Sequence, residues 1–174
     1  MELAIVTPRG RALHRARATD VPGIVALESA PGMSRFIGSW PAERHLANLT
    51  DPASHYLALH DTVGALEGFA ILSAYAPKFR WFELSRIAVR EPGDGRGADL
   101  LAGTLAYAFD RVAAHRIQLE VYPDNARARR AYARAGFREE GVLRDAVTRD
   151  GSWIALVLMA LLEDERVPPQ ASRA

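Results

Sequence analysis

Three glycines at alternate positions form the stretch of this sequence most suited to holding an anion. Gly93, Gly95 and Gly97 stand between an apolar run that ends at Val89 and a helix-like run that starts near Ala98. Glycine adopts backbone conformations that other residues avoid, so the chain can turn tightly here and approach a ligand closely. The N–H groups in the first turn of a helix lack partners and carry positive potential, which suits phosphate oxygens. A tight connection that holds no ligand is the alternative.

Two nucleotide-binding patterns fit this loop poorly. Gly93-x-Gly95-x-x-Ala98 satisfies the relaxed dinucleotide fingerprint, but the loop lies past the midpoint of the chain. Glu120, the first acid of the next strand, also comes later than that fingerprint requires. A P-loop lysine is absent. The glycine loop alone therefore does not decide the function.

A second segment, PDNARARRAYARAGF, places two polar side chains on one helix face. Asn125 and Tyr132 are separated by about two helical turns, so they point the same way. Taken singly, Asn125 is typical of a helix start and Tyr132 of a core aromatic residue whose hydroxyl is bonded to a neighbour. Their combination with the glycine loop is what indicates a specific chemistry.

The elements that position these residues are predicted from hydrophobic periodicity and from caps. Strands are predicted at ALHRARA from Ala12, at His55–His60, Leu66–Tyr75, Trp81–Val89 and Arg116–Tyr122, and over WIALVLMALL. Helices are predicted after a cap at Thr19 or Asp20, over GSWPAERHLANL with Ser39 as N-cap, over ADLLAGTLAYAFDRVA, and over the segment with Tyr132 up to Gly136. This order predicts an α+β (mixed α/β) protein with a mixed sheet and helices on its faces.

Composition favours one ordinary globular domain. The chain has 174 residues, 49% hydrophobic and 25% charged, which predicts a single domain over 1–174 with a flexible tail from about residue 165. The absence of cysteine excludes disulfides and thiol catalysis, and we expect no metal site. The net charge of +1 gives no argument for nucleic acid or membrane, and no leader or spanning run is evident. We therefore expect a cytoplasmic protein with neither of those partners.

Together these segments resemble GNAT-fold N-acetyltransferases, and more closely the RimJ/RimL-like branch. The resemblance rests on FELSRIAVREPGDGRGADLL, LEVYPDNARARRAYARAGFREEGVLRDAV and LVLMALL, whereas the first half of the chain matches only in general layout. It implies a GNAT fold with a central mixed, largely antiparallel sheet of six to seven strands, flanked by helices and splayed between the fourth and fifth strands. It also implies acetyl transfer from acetyl-CoA to a primary amine by direct attack in a ternary complex.

The resemblance also implies roles for particular residues. The family's pyrophosphate-binding loop is matched by Gly93, Asp94, Gly95, Arg96, Gly97 and Ala98. The strand that forms hydrogen bonds with the pantetheine arm and the acetyl carbonyl is matched by Ile87, Ala88 and Val89. Asn125 matches an asparagine that contacts the cofactor arm. Tyr132 matches a tyrosine that serves as general acid beside the sulfur, and Glu83 matches a glutamate that serves as general base, often through water.

The chemistry agrees with these residue types. Acyl transfer from a thioester to an amine needs a neutral amine, a polarised carbonyl and a proton for the departing thiolate. A tyrosine, with an ordinary pKa of about 10, can donate that proton, and a strand N–H can polarise the carbonyl. We expect Glu83 to share its strand face with Ser85 and Ile87. The alternative for Glu83 is a solvated residue, or one paired with Arg86 or Arg116.

Two positions depart from the family pattern. Pro92 stands where Arg or Gln is usual, and Asp94 places a carboxylate beside the expected diphosphate, which is electrostatically unfavourable. We expect Asp94 to face solvent or to pair with Arg90 or Arg96, and Asp94→Lys to tighten acetyl-CoA binding at low salt. Of the arginines on the Tyr132 helix, we expect one at most to contact the cofactor, because most such charges are solvated.

The acceptor is not readable from the sequence. The resemblance favours a protein N-terminal amine, a polyamine or another small amine. Aromatic residues that could line an acceptor cleft, although such residues are more often core, are Phe36, Trp40, Tyr75, Phe79, Trp81 and Phe82. A polyamine site needs clustered carboxylates, and only Glu28 and Glu43 lie nearby. A catalytically silent acetyl-CoA sensor or scaffold is the alternative function, and the oligomeric state is open, with a homodimer as one candidate.

Overall fold

The computed structural model describes residues 5–7 and 11–166, which form a mixed sheet covered by helices on both faces. In chain order, strands β1 to β8 are Ile5–Val6, Ala12–Arg15, Ser54–His60, Leu66–Ala76, Trp81–Val89, Arg116–Val121, Arg138–Arg149 and Ser152–Leu162. Their order across the sheet is β1-β2-β3-β4-β5-β6-β8-β7. Neighbouring strands are antiparallel except β5 and β6. Counted from β2, the sheet has seven strands and its parallel pair is the fourth and fifth, as predicted.

Helices α1 to α5 are Val21–Glu28, Ser34–Ile37, Ala42–Thr50, Arg96–Asp110 and Ala126–Arg134, with 3-10 turns at Ala18–Asp20, Pro77–Phe79 and Glu163–Glu165. The prediction of Ser39 as an N-cap is wrong, because Pro41 holds that position and α3 begins at Ala42. Asp20 does precede α1, but its carboxylate accepts from the Arg17 N–H and contacts His60 instead of capping the helix.

Strand β7 has no counterpart among the predicted elements. It lies at the edge of the sheet and is exposed along most of its length, so it lacks the alternation of buried and exposed residues that identifies a strand. Its pairing with β8 also shifts between Leu143 and Val147, where Asp145 adopts a φ of 51°. A bulged, solvated edge strand leaves no periodic pattern in the sequence.

Two hydrophobic clusters hold the helices onto the sheet, one on each face. On one face, α4 and α5 cover a cluster that includes Leu72, Leu84 and Leu119. On the other face, α1 and α3 cover a cluster that includes Phe69 and Ile71. The apolar stripe predicted for α4 is buried at Leu101, Leu105 and Ala108.

The parallel pair of strands separates soon after it starts. β5 and β6 pair only where Trp81, Phe82 and Glu83 face Arg116, Ile117 and Gln118. Beyond Glu83, β6 no longer covers the edge of β5, so the main chain from Leu84 to Val89 is open on that side. This opening, predicted from the resemblance, positions the site described below.

The predicted tail lies outside the described residues from 167 onward. Within the described part, Arg166 still forms an ion pair with Asp110, with Nη2 2.9 Å from Oδ2. In the part of the chain that the structure describes, no helix is long and apolar enough to cross a membrane.

Candidate active site

The opening between β5 and β6 leads into a cavity of about 370 Å³. On the side of α4 and α5, its wall includes four residues of the glycine loop (residues 93–98), together with Ala128 and Tyr132. On the opposite side of the sheet, the wall includes Met33, Phe36 and Ile37 around α2. The cavity therefore passes through the sheet where the two strands separate, and it can bring together molecules that bind on opposite sides.

The glycine loop closes one end of the cavity and has the geometry of an anion site. Gly93 and Gly95 have φ values of 123° and 90°, a region that favours glycine, and Gly95 is the N-cap of α4. The N–H groups of Gly97 and Ala98 belong to the first helical turn, which lacks i−4 acceptors. Pro92, Gly93, Gly95, Gly97 and Ala98 all line the cavity. These residues fit a diphosphate group held by main-chain N–H groups.

Asp94 and Arg96 are in the loop but do not line the cavity. The Asp94 Oδ1 atom accepts a hydrogen bond from the Arg96 N–H at 3.0 Å, and Oδ2 lies 2.8 Å from Arg96 Nε and 3.4 Å from Arg11 Nη2. The hydrogen bond that the Asp94 carboxylate accepts from the Arg96 N–H lowers the pKa of Asp94. The predicted pairing with Arg96 is thus present, whereas Arg90 donates to the Leu66 carbonyl instead.

A bulge in β5 corrects the predicted faces of that strand. Ile87, Ala88 and Val89 line the cavity as expected. However, the register with β4 shifts at Ser85, which has no partner of its own. Because of the extra residue, Glu83 faces the α1 side of the sheet while Ile87 packs against the cluster beneath α4. The expectation that Glu83 and Ile87 share a face is wrong.

Asn125 lines the cavity and is also the N-cap of α5. Its Oδ1 atom accepts a hydrogen bond from the Ala128 N–H at 3.2 Å. The side-chain oxygen is therefore used within the helix, and the amide nitrogen is the part of Asn125 that can donate to a bound molecule.

Tyr132 stands in the same wall, two turns along α5. Its ring packs against Phe137 with centroids 5.8 Å apart, and burial raises the pKa of its hydroxyl to about 12. The hydroxyl therefore keeps its proton over the whole physiological range and can act as a donor. The raised pKa also makes this hydroxyl a weaker acid than an ordinary tyrosine, so it suits donation to a strongly basic group such as a thiolate that departs into the same apolar surroundings.

Glu83 is half-buried next to the cavity but is not part of its lining. Burial raises the pKa of its carboxyl, and the negative charge of Glu120 adds to the shift. A carboxylate with a raised pKa is a stronger base. Neither alternative partner is engaged with it, because Arg86 pairs with Glu28 and Arg116 with Glu140.

Glu120 is a candidate that the sequence analysis did not assign to the site. It is exposed on β6 and lines the cavity on the side of α2. The sequence signal was its position two residues before Tyr122 in the predicted strand Arg116–Tyr122, since alternate residues of a strand share a face. Tyr122 also lines the cavity, and its ring lies 6.0 Å from that of Phe36.

The aromatic residues predicted for an acceptor cleft are mostly elsewhere. Of the six, all of which the structure describes, Phe36 lines the cavity and the other five do not. Trp40 stacks on Arg86 behind the wall, and Tyr75 and Trp81 stack on each other with centroids 4.8 Å apart. Met33, the N-cap of α2, and Ile37, its last residue, were missed, because a helix of one turn shows no periodicity.

The arginines of α5 have different surroundings. Arg127 is exposed and lines the cavity. Arg129 forms an ion pair with Glu139 at 2.6 Å. Within the described residues, no group of three or more His, Asp or Glu side chains is arranged to hold a metal ion.

Comparison with known proteins agrees with this geometry. The sequence model of the acetyltransferase (GNAT) family matches residues 24–137. The fold is similar to that of spermidine N-acetyltransferase SpeG from Vibrio cholerae in complex with CoA and spermine, with a TM-score of 0.78, 22% identity, and coverage of 89% of this chain and 96% of that one. A chimera of SpeG and hSSAT gives a TM-score of 0.81 at 22% identity, covering 89% and 96% of the two chains.

At these identities the structural likeness supports the fold, whereas the family match carries the assignment. That match spans well over half of the chain and includes both the glycine loop and the helix with Tyr132. This chain therefore belongs to the acetyltransferase (GNAT) family, and it is an N-acetyltransferase that uses acetyl-CoA as the acetyl donor.

Proposed function

We propose that this protein acetylates a primary amine of a small molecule or of a protein N-terminus, in the manner of RimJ/RimL-like enzymes. The observation that carries the proposal is the continuous cavity, which joins the glycine loop to Tyr132 and then to Glu120 and α2. The fold likeness to spermidine N-acetyltransferases keeps a polyamine among the acceptors to be tested.

The donor side of the cavity would hold acetyl-CoA through main-chain groups. Gly97 and Ala98 donate N–H groups towards the diphosphate, and the Asn125 amide donates towards the arm. The open edge of β5 from Ile87 to Val89 bonds the arm and polarises the thioester carbonyl, which is the activated group that acetyl-CoA supplies.

Proton movement requires one base and one acid, and we assign these roles to Glu83 and Tyr132. Glu83 takes a proton from the amine through a water molecule, since its carboxylate lies behind the cavity lining. The amine nitrogen then forms the new bond to the carbonyl carbon, and the carbon–sulfur bond breaks. Tyr132 donates its hydroxyl proton to the departing sulfur, and the amine proton taken up by Glu83 returns through solvent to the Tyr132 phenolate, so both groups are restored.

Two measurements in sequence test this proposal. Thermal unfolding with acetyl-CoA, NAD or ATP should show stabilisation by acetyl-CoA, because ligand binding to the native state raises the unfolding temperature. Thiol release should then depend on an added amine. Stabilisation by NAD alone would contradict the cofactor assignment. Stabilisation by acetyl-CoA without amine-dependent thiol release would favour the sensor or scaffold.

A further inference from the structure

A buried arginine at the acceptor side has donor atoms that the protein itself does not use. Arg86 on β5 lines the cavity and is 8% exposed. Its Nη1 atom donates to Glu28 Oε1 at 2.8 Å and to the Ile37 carbonyl at 2.7 Å, with the Gly38 carbonyl at 3.3 Å. Its Nε is buried without a partner, and its Nη2 bonds to none of the described residues.

The guanidinium of Arg86 is held firmly in this orientation. Its Cζ lies 3.7 Å from the centre of the Trp40 ring. Glu28, which is fully buried, balances the charge and also accepts a hydrogen bond from the Trp40 N–H at 2.8 Å. His45 Nε2 is 3.3 Å from the same carboxylate. The unused edge of Arg86 is therefore a fixed donor, prepared before any ligand arrives.

The two unused nitrogens form the planar edge of a guanidinium that best binds carbonyl or carboxylate oxygens. A buried donor without a partner is unfavourable, and a ligand oxygen would satisfy it. Because Nη1 contacts the carbonyls of Ile37 and Gly38, the guanidinium group lies beside the α2 wall, where we place the acceptor.

The bulge at Ser85 places Arg86 on the same face of β5 as Glu83, the proposed base. Glu83 and Arg86 face the same side of β5, as neighbours on one strand face do at a spacing of about 7 Å. An acceptor whose amine reaches Glu83 through water can therefore place a nearby oxygen on Arg86.

A polycation would meet a single carboxylate, that of Glu120, among the described residues that line the cavity. Asp124 is the carboxylate at the start of α5, and it is already paired with both Arg35 and Arg149. The cluster of Arg35, Asp124 and Arg149 therefore carries one more positive than negative charge.

We infer that Arg86 binds a carbonyl or carboxylate oxygen of the acceptor, and that the favoured acceptor is an α-amino carbonyl compound, either the N-terminal residue of a peptide or a free amino acid. The inference rests on the proposed acetyl transfer, and it makes Arg86 a residue that determines acceptor specificity.

The first test uses Arg86→Lys, which keeps a positive charge opposite Glu28 but removes the planar edge. The kcat/KM for L-leucinamide should fall about tenfold or more, as expected for a lost charged hydrogen bond, while that for 3-methylbutylamine, which lacks the carbonyl, changes little. Arg130→Lys, an exposed arginine on α5 that does not line the cavity, is the matched control and should change neither value. Because kcat/KM for each amine is compared between the wild type and Arg86→Lys, the difference in basicity between the two amines does not affect the result.

A second test needs only the wild-type protein and covers the case in which Arg86→Lys does not fold. N-acetyl-L-leucinamide should inhibit about tenfold more strongly than N-(3-methylbutyl)acetamide, and neither product is charged. If free leucine is a better acceptor than leucinamide, the natural acceptor is an amino acid. If leucinamide is the better acceptor, the natural acceptor is a peptide N-terminus.

Equal inhibition by the two products, an equal loss for both amines in Arg86→Lys, or a preference for spermidine would overturn the inference while leaving the acetyl transfer intact. Absence of thiol release with every amine is a different outcome, because it would overturn the proposed function and this inference with it.

Discussion

Gly68 on β4 occupies a position where the structure leaves no room for a side chain. A Cβ atom added there would lie 2.8 Å from the Ala88 carbonyl oxygen, 3.0 Å from Val89 Cγ1 and 3.2 Å from Leu100 Cδ2. Ala88 and Val89 belong to the open edge of β5, and Leu100 anchors the first turns of α4. Gly68→Ala should therefore displace both elements that form the donor end of the cavity.

The size of the effect follows from two opposing contributions. Overpacking a core costs about 1–3 kcal/mol, and a clash with a main-chain carbonyl belongs in the upper half of that range because no rotamer relieves it. Replacing glycine by alanine also raises the free energy of unfolding by about 0.4–1 kcal/mol, because it lowers the conformational entropy of the unfolded chain. The net loss of about 1–2.5 kcal/mol lowers the unfolding temperature by about 2–10 °C for a protein of this size.

Thermal unfolding and the dissociation constant for acetyl-CoA measure the two consequences of Gly68→Ala. We expect a lower unfolding temperature together with weaker acetyl-CoA binding. Gly141→Ala on β7 is the matched control, since a Cβ there meets no heavy atom within 4 Å and φ is not positive. If Gly68→Ala is as stable as Gly141→Ala and binds acetyl-CoA equally well, the close approach of β4 to β5 and α4 is not as described.

Two further predictions concern charged groups. Asp94→Asn keeps an oxygen for the Arg96 N–H but removes a negative charge from the glycine loop. Acetyl-CoA should therefore bind severalfold more tightly at low salt, and the gain should vanish at high salt. Calorimetric titrations that show no gain at low salt would contradict this prediction. Burial, together with the charge of Arg15, lowers the pKa of His55 in the native protein below its ordinary value of about 6.5. As the pH falls through that value, the unfolded chain therefore binds more protons than the native protein does. The free energy of unfolding, measured in urea, should therefore decrease between pH 7.5 and 5.5, and by less in His55→Gln; an equal decrease in both proteins would refute the assignment.

The parts of the fold that could be predicted are those with strict local patterns. The hairpin around DTVGA has alternating or apolar runs on both sides of a turn, and β5 has the predicted bounds Trp81–Val89. The glycine loop and the helix with Tyr132 also carry their signals within short segments. Each of these elements is determined mainly by its own residues, so a single sequence is enough to find it.

The features that escaped prediction depend on contacts between distant segments. The bulge at Ser85 arises from the pairing of β5 with β4, and it alone decides that Glu83 and Arg86 share a face. Glu28 looks like an ordinary surface acid in the sequence, yet it is fully buried because Arg86, from a distant strand, balances its charge. The wall that α2 contributes is equally invisible, since its single turn is held by contacts with β5 and with Asp124.

The most direct test of the central claim is the Tyr132→Phe variant, assayed for acetyl-CoA affinity and for amine-dependent thiol release. Loss of a general acid typically costs about 10²–10⁴-fold, so kcat should fall at least tenfold while the dissociation constant for acetyl-CoA stays the same. Tyr75→Phe, at an exposed tyrosine outside the cavity lining, should behave like the wild type. Unchanged kcat in Tyr132→Phe would contradict the assignment of this cavity as the place where the acetyl group is transferred with the help of Tyr132.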